Sequence, residues 1–129
     1  MSSNNIKLTK EQTVGARTNF VIKTTENENE NIVLYSHWGG DSGVQDFAWA
    51  INKAMPRYGD TSYFTRILVS SLINTEWDSE TGFGLYVGPV THEESYEYKE
   101  IDLVNGTVTI GDHTTSIKAF LEYHQGATV

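Results

Sequence analysis

The sequence predicts an α+β fold: an antiparallel β-sheet with two consecutive α-helices packed on one face, in a single domain. Three observations predict it. Two short β-branched and aromatic runs open the chain, "NFVIK" and "NIVLYS". Two segments with helical apolar spacing follow one another almost without a gap. The second half then returns to short alternating runs, one pair of them joined by Asn-Gly. One domain over residues 1–129 is expected, because a chain of this length holds one core and not two.

The first two runs read as strands separated by "TTENENE", residues 24 to 30, where Asn and Glu alternate without an apolar residue. A calcium loop would need fixed ligand spacing and a glycine that this tract lacks, so it reads as a solvated hairpin tip. After "HWGGDSG", Val44, Phe47, Ala48, Ile51 and Met55 follow the i, i+3, i+4, i+7 pattern of an amphipathic helix. Asp41 or Ser42 can cap it, and Pro56 ends it. In "DTSYFTRILVSSLIN", Asp60 or Thr61 caps a second helix whose buried face is Phe64, Ile67, Leu68, Ser71 and Leu72.

The remainder reads as sheet. "GFGLYV", "YEYKEIDLV" and "TVTIG" are three strands, with "VNGT" turning between the last two. "SIKAFLEYH" is read as a short helix with Ile117, Phe120 and Leu121 facing the core.

Composition narrows the function classes. No apolar run reaches the roughly 20 residues needed to cross a bilayer, and "MSSNNIKLTKEQ" has no apolar core of a signal peptide. The absence of cysteine removes disulfides, thiolate chemistry and the common structural zinc sites. A cytoplasmic protein without metal or cofactor is the expectation. The formal net charge of −8 repels a polyphosphate backbone, so neither nucleic-acid polymers nor membranes are expected partners. A small anion is a different case, because a few cations focused in a pocket outweigh a distant acidic field. The chain has three arginines, Arg17, Arg57 and Arg66, all in its first half.

No catalytic constellation stands out. His37 follows a strand beside Trp38 and two glycines, but His92, His113 and His124 are scattered without metal-ligand spacing. Neither a nucleophile elbow nor a phosphate-loop pattern occurs. "GGDSG" opens a helix and can be read as a phosphate cradle or as an ordinary capped turn. In "THEESYEYKE" the adjacent Glu93 and Glu94 face opposite ways if extended, so they cannot act as a pair.

Binding features are clearer. Phe83 lies between Gly82 and Gly84, residues that bury nothing, and a ring left uncovered is a stacking platform for a planar base. Arg57 lies in the interhelical turn, and Arg66 falls next to the apolar stripe of the second helix. Each alone reads as a surface ion pair; jointly with Phe83 they describe a nucleotide-like ligand.

The ordered series "LYSHWGG", a short helix, "RYGDTSYFTRIL" and "ETGFGLYVG" resembles a group of small phage and prophage proteins. These are the first-described Thoeris anti-defence proteins, sponges for the cyclic ADP-ribose signal made by bacterial TIR-domain enzymes. Sponges of this class also take cyclic oligonucleotides. The resemblance spans roughly residues 32 to 110. It implies sequestration without degradation, in the cytoplasm of an infected bacterial host, with Phe83 as the stacking ring and Arg57 on a phosphate. It also implies a homo-oligomer, a dimer or higher, an expectation that the aromatic content supports. Where that family has an Asp-Asn type dipeptide, this chain has His92, Glu93 and Glu94, so ligand choice differs. The candidate ligand-binding residues are Phe83, Arg57, Arg66, His37, Trp38, Tyr86 and Glu93, with none expected to be catalytic. Two other readings stand: an enzyme that modifies or degrades a nucleotide with His37 as base, and a phage protein-interaction module.

Overall fold

In a computed structural model, residues 17–37, 43–90 and 98–124 are described. The chain order is β1 (Thr18–Lys23), β2 (Ile32–Ser36), α1 (Gly43–Ala54), α2 (Thr61–Ile73), β3 (Phe83–Val87), β4 (Lys99–Asp102), β5 (Thr107–Ile110), β6 (His113–Ser116) and α3 (Ile117–Tyr123). The six strands form one sheet in the order β3-β2-β1-β4-β5-β6. The architecture is α+β.

Register explains which residues are core. Phe20 stands opposite Leu34, Ile22 opposite both Ile32 and Ile101, and Ile101 opposite Val108. Side chains at paired positions share a face, so these residues build one apolar surface. Onto it pack Phe47, Ala48 and Ile51 of α1, Phe64 and Leu68 of α2, and Ile117 and Phe120 of α3. Phe47 links the layers, its ring centroid 5.3 Å from Phe20 and 6.3 Å from Phe120. Central strand β1 is buried on both sides, from Thr18 through Ile22.

Local chemistry sets the ends of the elements. The Asp60 carboxylate accepts the Tyr63 N–H and caps α2. The proposed caps of α1, Asp41 and Ser42, lie outside the described residues. The "TTENENE" tip carries a short 3₁₀ turn, Glu28–Glu30, capped by the Asn27 side chain. The Asn-Gly turn is held by Asp102, which accepts from the Val104 N–H at 2.9 Å, the Asn105 N–H at 3.0 Å and the Asn105 side-chain amide at 2.9 Å.

Three sequence expectations are corrected. The sheet is mixed, since β1 pairs with β4 in parallel. "YEYKEIDLV" contributes only Lys99–Asp102 to the sheet among its described residues. A sixth strand, "HTTS", was not expected, because all four of its residues are exposed and carry no apolar alternation.

Candidate functional site

Helix α2 presents two different stripes. Phe64 and Leu68 turn into the core, while Thr61, Ser62, Thr65, Arg66, Val69 and Ser70 recur at the i, i+4, i+8 spacing of another side. That second stripe forms one wall of a groove of about 570 Å³, closed below by Ile32 and Leu85 with Thr24 at one end. Burial falls off sharply from β2 to β3 along the groove. Leu34 is fully buried, whereas its cross-strand partner Leu85 is 60 % exposed.

The groove surface is largely apolar, with a small polar share. Val69, Ile32 and Leu85 give apolar surface, four hydroxyl side chains come from α2, and Arg66 is the one charged side chain among the described residues lining it. Thr65 is the informative one. It is only 9 % exposed, and its Oγ1 has no hydrogen-bond partner. A threonine inside a helix ordinarily returns its hydroxyl to a carbonyl one turn back, and a buried polar atom left unsatisfied costs free energy. Here that hydroxyl is sealed from solvent, while the residue's remaining surface borders the groove.

Arg57 stands over the ring of Tyr63, its Cζ 4.8 Å from the ring centroid. Tyr63 lies three residues before Arg66 and therefore on the same side of α2. The two arginines predicted together from sequence thus share one side of the helix, with an exposed tyrosine ring between them. Sequence reasoning missed Tyr63, although its spacing to Arg66 was readable.

Phe83 is not the uncovered ring that its glycines imply. It is half-buried and packs against the core. Gly84 points to the opposite face, where an added Cβ would meet the Tyr35 side chain at 3.9 Å. Gly82 has φ +100°, a conformation that favours glycine. Gly82 therefore serves a turn, and Gly84, on the opposite face beside Tyr35, does not open space next to Phe83.

The remaining predicted residues separate. His37 continues β2 on the face that carries Tyr35, and its Nδ1 lies 3.1 Å from the Tyr35 Oη. Its backbone N–H donates to Gly82 O at 2.8 Å. Tyr86, paired with Val33, occupies that same face. The groove lies on the other one. Trp38 and Glu93 lie outside the described residues.

A second cavity, about 670 Å³, opens between α3 and the β5–β6 hairpin, with Ile110, Phe120, His113 and His124 among its lining. Burial pushes the His124 imidazole below its ordinary pKa. None of the predicted site residues lines this cavity.

Lys99 is a residue the sequence reading passed over. It is 1 % exposed, its Nζ donates to Thr18 Oγ1 at 3.0 Å, and its Cε lies against Gly43 at the start of α1. The signal was present: in "KEI", Lys99 shares a strand face with Ile101, which is core. A buried ammonium is tolerated only with hydrogen-bonding partners, so Lys99 ties the sheet to the helix layer.

No protein-family model, curated protein or solved structure matches the chain. Among the described residues no group of three His, Cys, Asp or Glu side chains is placed to hold a metal ion, and no helix is long and apolar enough to cross a membrane.

Proposed function

We propose that this protein captures a small nucleotide-class anion in the groove along α2 and holds it without chemical change. The observation that carries the reading is that Arg66 lines a groove of small-ligand size whose surface is otherwise largely apolar. A volume of about 570 Å³ falls within the range of small-ligand sites, about 300–1,000 Å³. An arginine supplies phosphate recognition, hydroxyls suit ribose, and the wall of Val69, Ile32 and Leu85 suits a base. Arg57 and the Tyr63 ring extend the cationic, aromatic character along the same side of the helix. The motif series described above supports a cyclic ADP-ribose isomer or a cyclic oligonucleotide as the ligand, in the setting of phage anti-defence.

The reading is tested by incubating the protein with cyclic ADP-ribose isomers and cyclic oligonucleotides, removing free ligand, denaturing the protein and analysing what is released. Capture returns the ligand intact. A modified product would refute the reading and favour chemistry at His37, on the opposite face of the sheet. Arg66→Gln should weaken capture by about 10- to 100-fold, the loss of one charge-assisted contact of about 1.5–3 kcal/mol.

A further inference from the structure

The two edges of the sheet differ in kind. At one edge, β6 is "HTTS", short, polar and wholly exposed. At the other, β3 is "FGLYV", without charge or proline, and Leu85 and Val87 are 60 % and 68 % exposed. Native edges are normally blunted by charge, proline or a bulge, because unpaired N–H and C=O groups template further pairing. Apart from its shortness, β3 carries none of these devices among the described residues.

The ladder shows which groups are offered. His37 N–H donates to Gly82 O and Gly88 N–H donates to Asn31 O, both at 2.8 Å, on the same register as Tyr35↔Gly84 and Val33↔Tyr86. Those are the hydrogen-bonded pairs of an antiparallel ladder, so alternation turns the N–H and C=O of Phe83, Leu85 and Val87 away from β2.

We infer that β3 is a self-pairing edge: two copies of this chain join antiparallel through it, about a two-fold axis at Leu85. That register sets Leu85 opposite the partner's Leu85 and Phe83 opposite the partner's Val87, so every outward donor on these three residues meets an acceptor. It buries the exposed side chains of Leu85 and Val87. It also sets Glu80 against the partner's Val90, whereas a parallel register would align Glu80 with the partner's Glu80. For a chain of net charge −8, an uncharged, self-complementary strand is the surface on which a second copy meets least repulsion. The inference does not rest on the ligand reading.

Sedimentation across a concentration series tests it. The wild-type chain should reach twice its 14.5 kDa mass. Leu85→Pro removes one outward N–H and no bond to β2, and should remain at the monomer mass; Leu85→Ser keeps that N–H and should retain more association than the proline variant. A wild-type protein that stays monomeric at high concentration, or a folded Leu85→Pro variant as dimeric as wild type, overturns the inference. Should the proline variant fail to fold, amide hydrogen exchange on the wild-type protein decides. The Phe83, Leu85 and Val87 amides should become protected as concentration rises, and rapid exchange at all three in a dimeric sample places the interface elsewhere and sinks the proposal.

Discussion

Thr65→Val exchanges a hydroxyl for a methyl of nearly the same shape, at a site where the hydroxyl has no partner. A buried unsatisfied polar group costs about 1–3 kcal/mol. Threonine and valine have similar helix propensities, so the backbone contributes little to the difference. Side-chain volume is conserved and no cavity opens. The hydroxyl is sealed from solvent although the residue as a whole is 9 % exposed; allowing for partial relaxation of its surroundings, about 1–2 kcal/mol of added stability is expected. For a chain of 129 residues that is a rise in melting temperature of about 3–8 °C. Ligand capture should be little changed, because a hydroxyl sealed from solvent does not reach a molecule in the groove. Thermal denaturation and calorimetric titration of the same sample read both effects. Most substitutions of buried residues lower stability, so a gain with capture unchanged is a distinctive outcome. A variant that melts lower than wild type refutes the reasoning, because the hydroxyl would then be satisfied in the native protein.

Three further outcomes follow from the packing. Gly43→Ala would place a Cβ 2.6 Å from the Lys99 Cε; overpacking of about 1–3 kcal/mol exceeds the helix-propensity gain of at most about 1 kcal/mol, so the variant should melt lower. In a Lys99→Ala background the same change should be neutral or stabilising, and a penalty that persists there would show that Lys99 is not the obstacle. Phe83→Ala should destabilise by about 1–3 kcal/mol, less than a fully buried phenylalanine; an unchanged denaturation curve would return this ring to the exposed role that its glycines imply. Burial pushes the Asp102 carboxyl up, but hydrogen bonds from Asn105 and Val104 and the charge of Lys23 outweigh it and hold the group below its ordinary pKa. Its contribution to stability is therefore complete above the unfolded-state pKa of about 3.9 and is lost as pH falls through the folded value. Asp102→Asn should flatten that acid limb of a stability-versus-pH curve, and an equally steep limb would assign it to other carboxylates.

The helices and most of the strands were legible because their signals are local. Phe47, Ala48 and Ile51 carry the 3.6-residue period of α1, and the Asn105-Gly106 turn with its Asp102 anchor is complete within a few neighbouring residues. What escaped is non-local. The parallel pairing of β1 with β4 depends on segments about 80 residues apart, and no spacing within either strand encodes it. β6 has no apolar residue to alternate. Among the residues lining the proposed site, Arg66 was readable through its place beside the apolar stripe. Thr65 was not, because an unpartnered hydroxyl is a property of surroundings and not of sequence. Phe83 was misread for a simple reason: neighbouring residues on a strand face opposite ways, so the space left by a glycine is not space beside the adjacent ring.

The parallel seam between β1 and β4 also shapes how the chain folds. On one side of it lie β1, β2, α1, α2 and β3, contiguous from residue 18 to 87; on the other lie β4, β5, β6 and α3, contiguous from 99 to 123. The β1–β2, β4–β5 and β5–β6 pairs close through short sequence separations and β2–β3 across about 50 residues. By contrast, the seam joins residues 79 positions apart and the Lys99–Thr18 hydrogen bond 81. Loops of that length close late, after local contacts have formed. During synthesis the first block leaves the ribosome with one side of β1 unpaired, and that strand waits for β4. Completion of the sheet is thus tied to the last third of the chain. In pulsed hydrogen exchange, amides of the β4–β5 hairpin should gain protection before those that bridge β1 and β4.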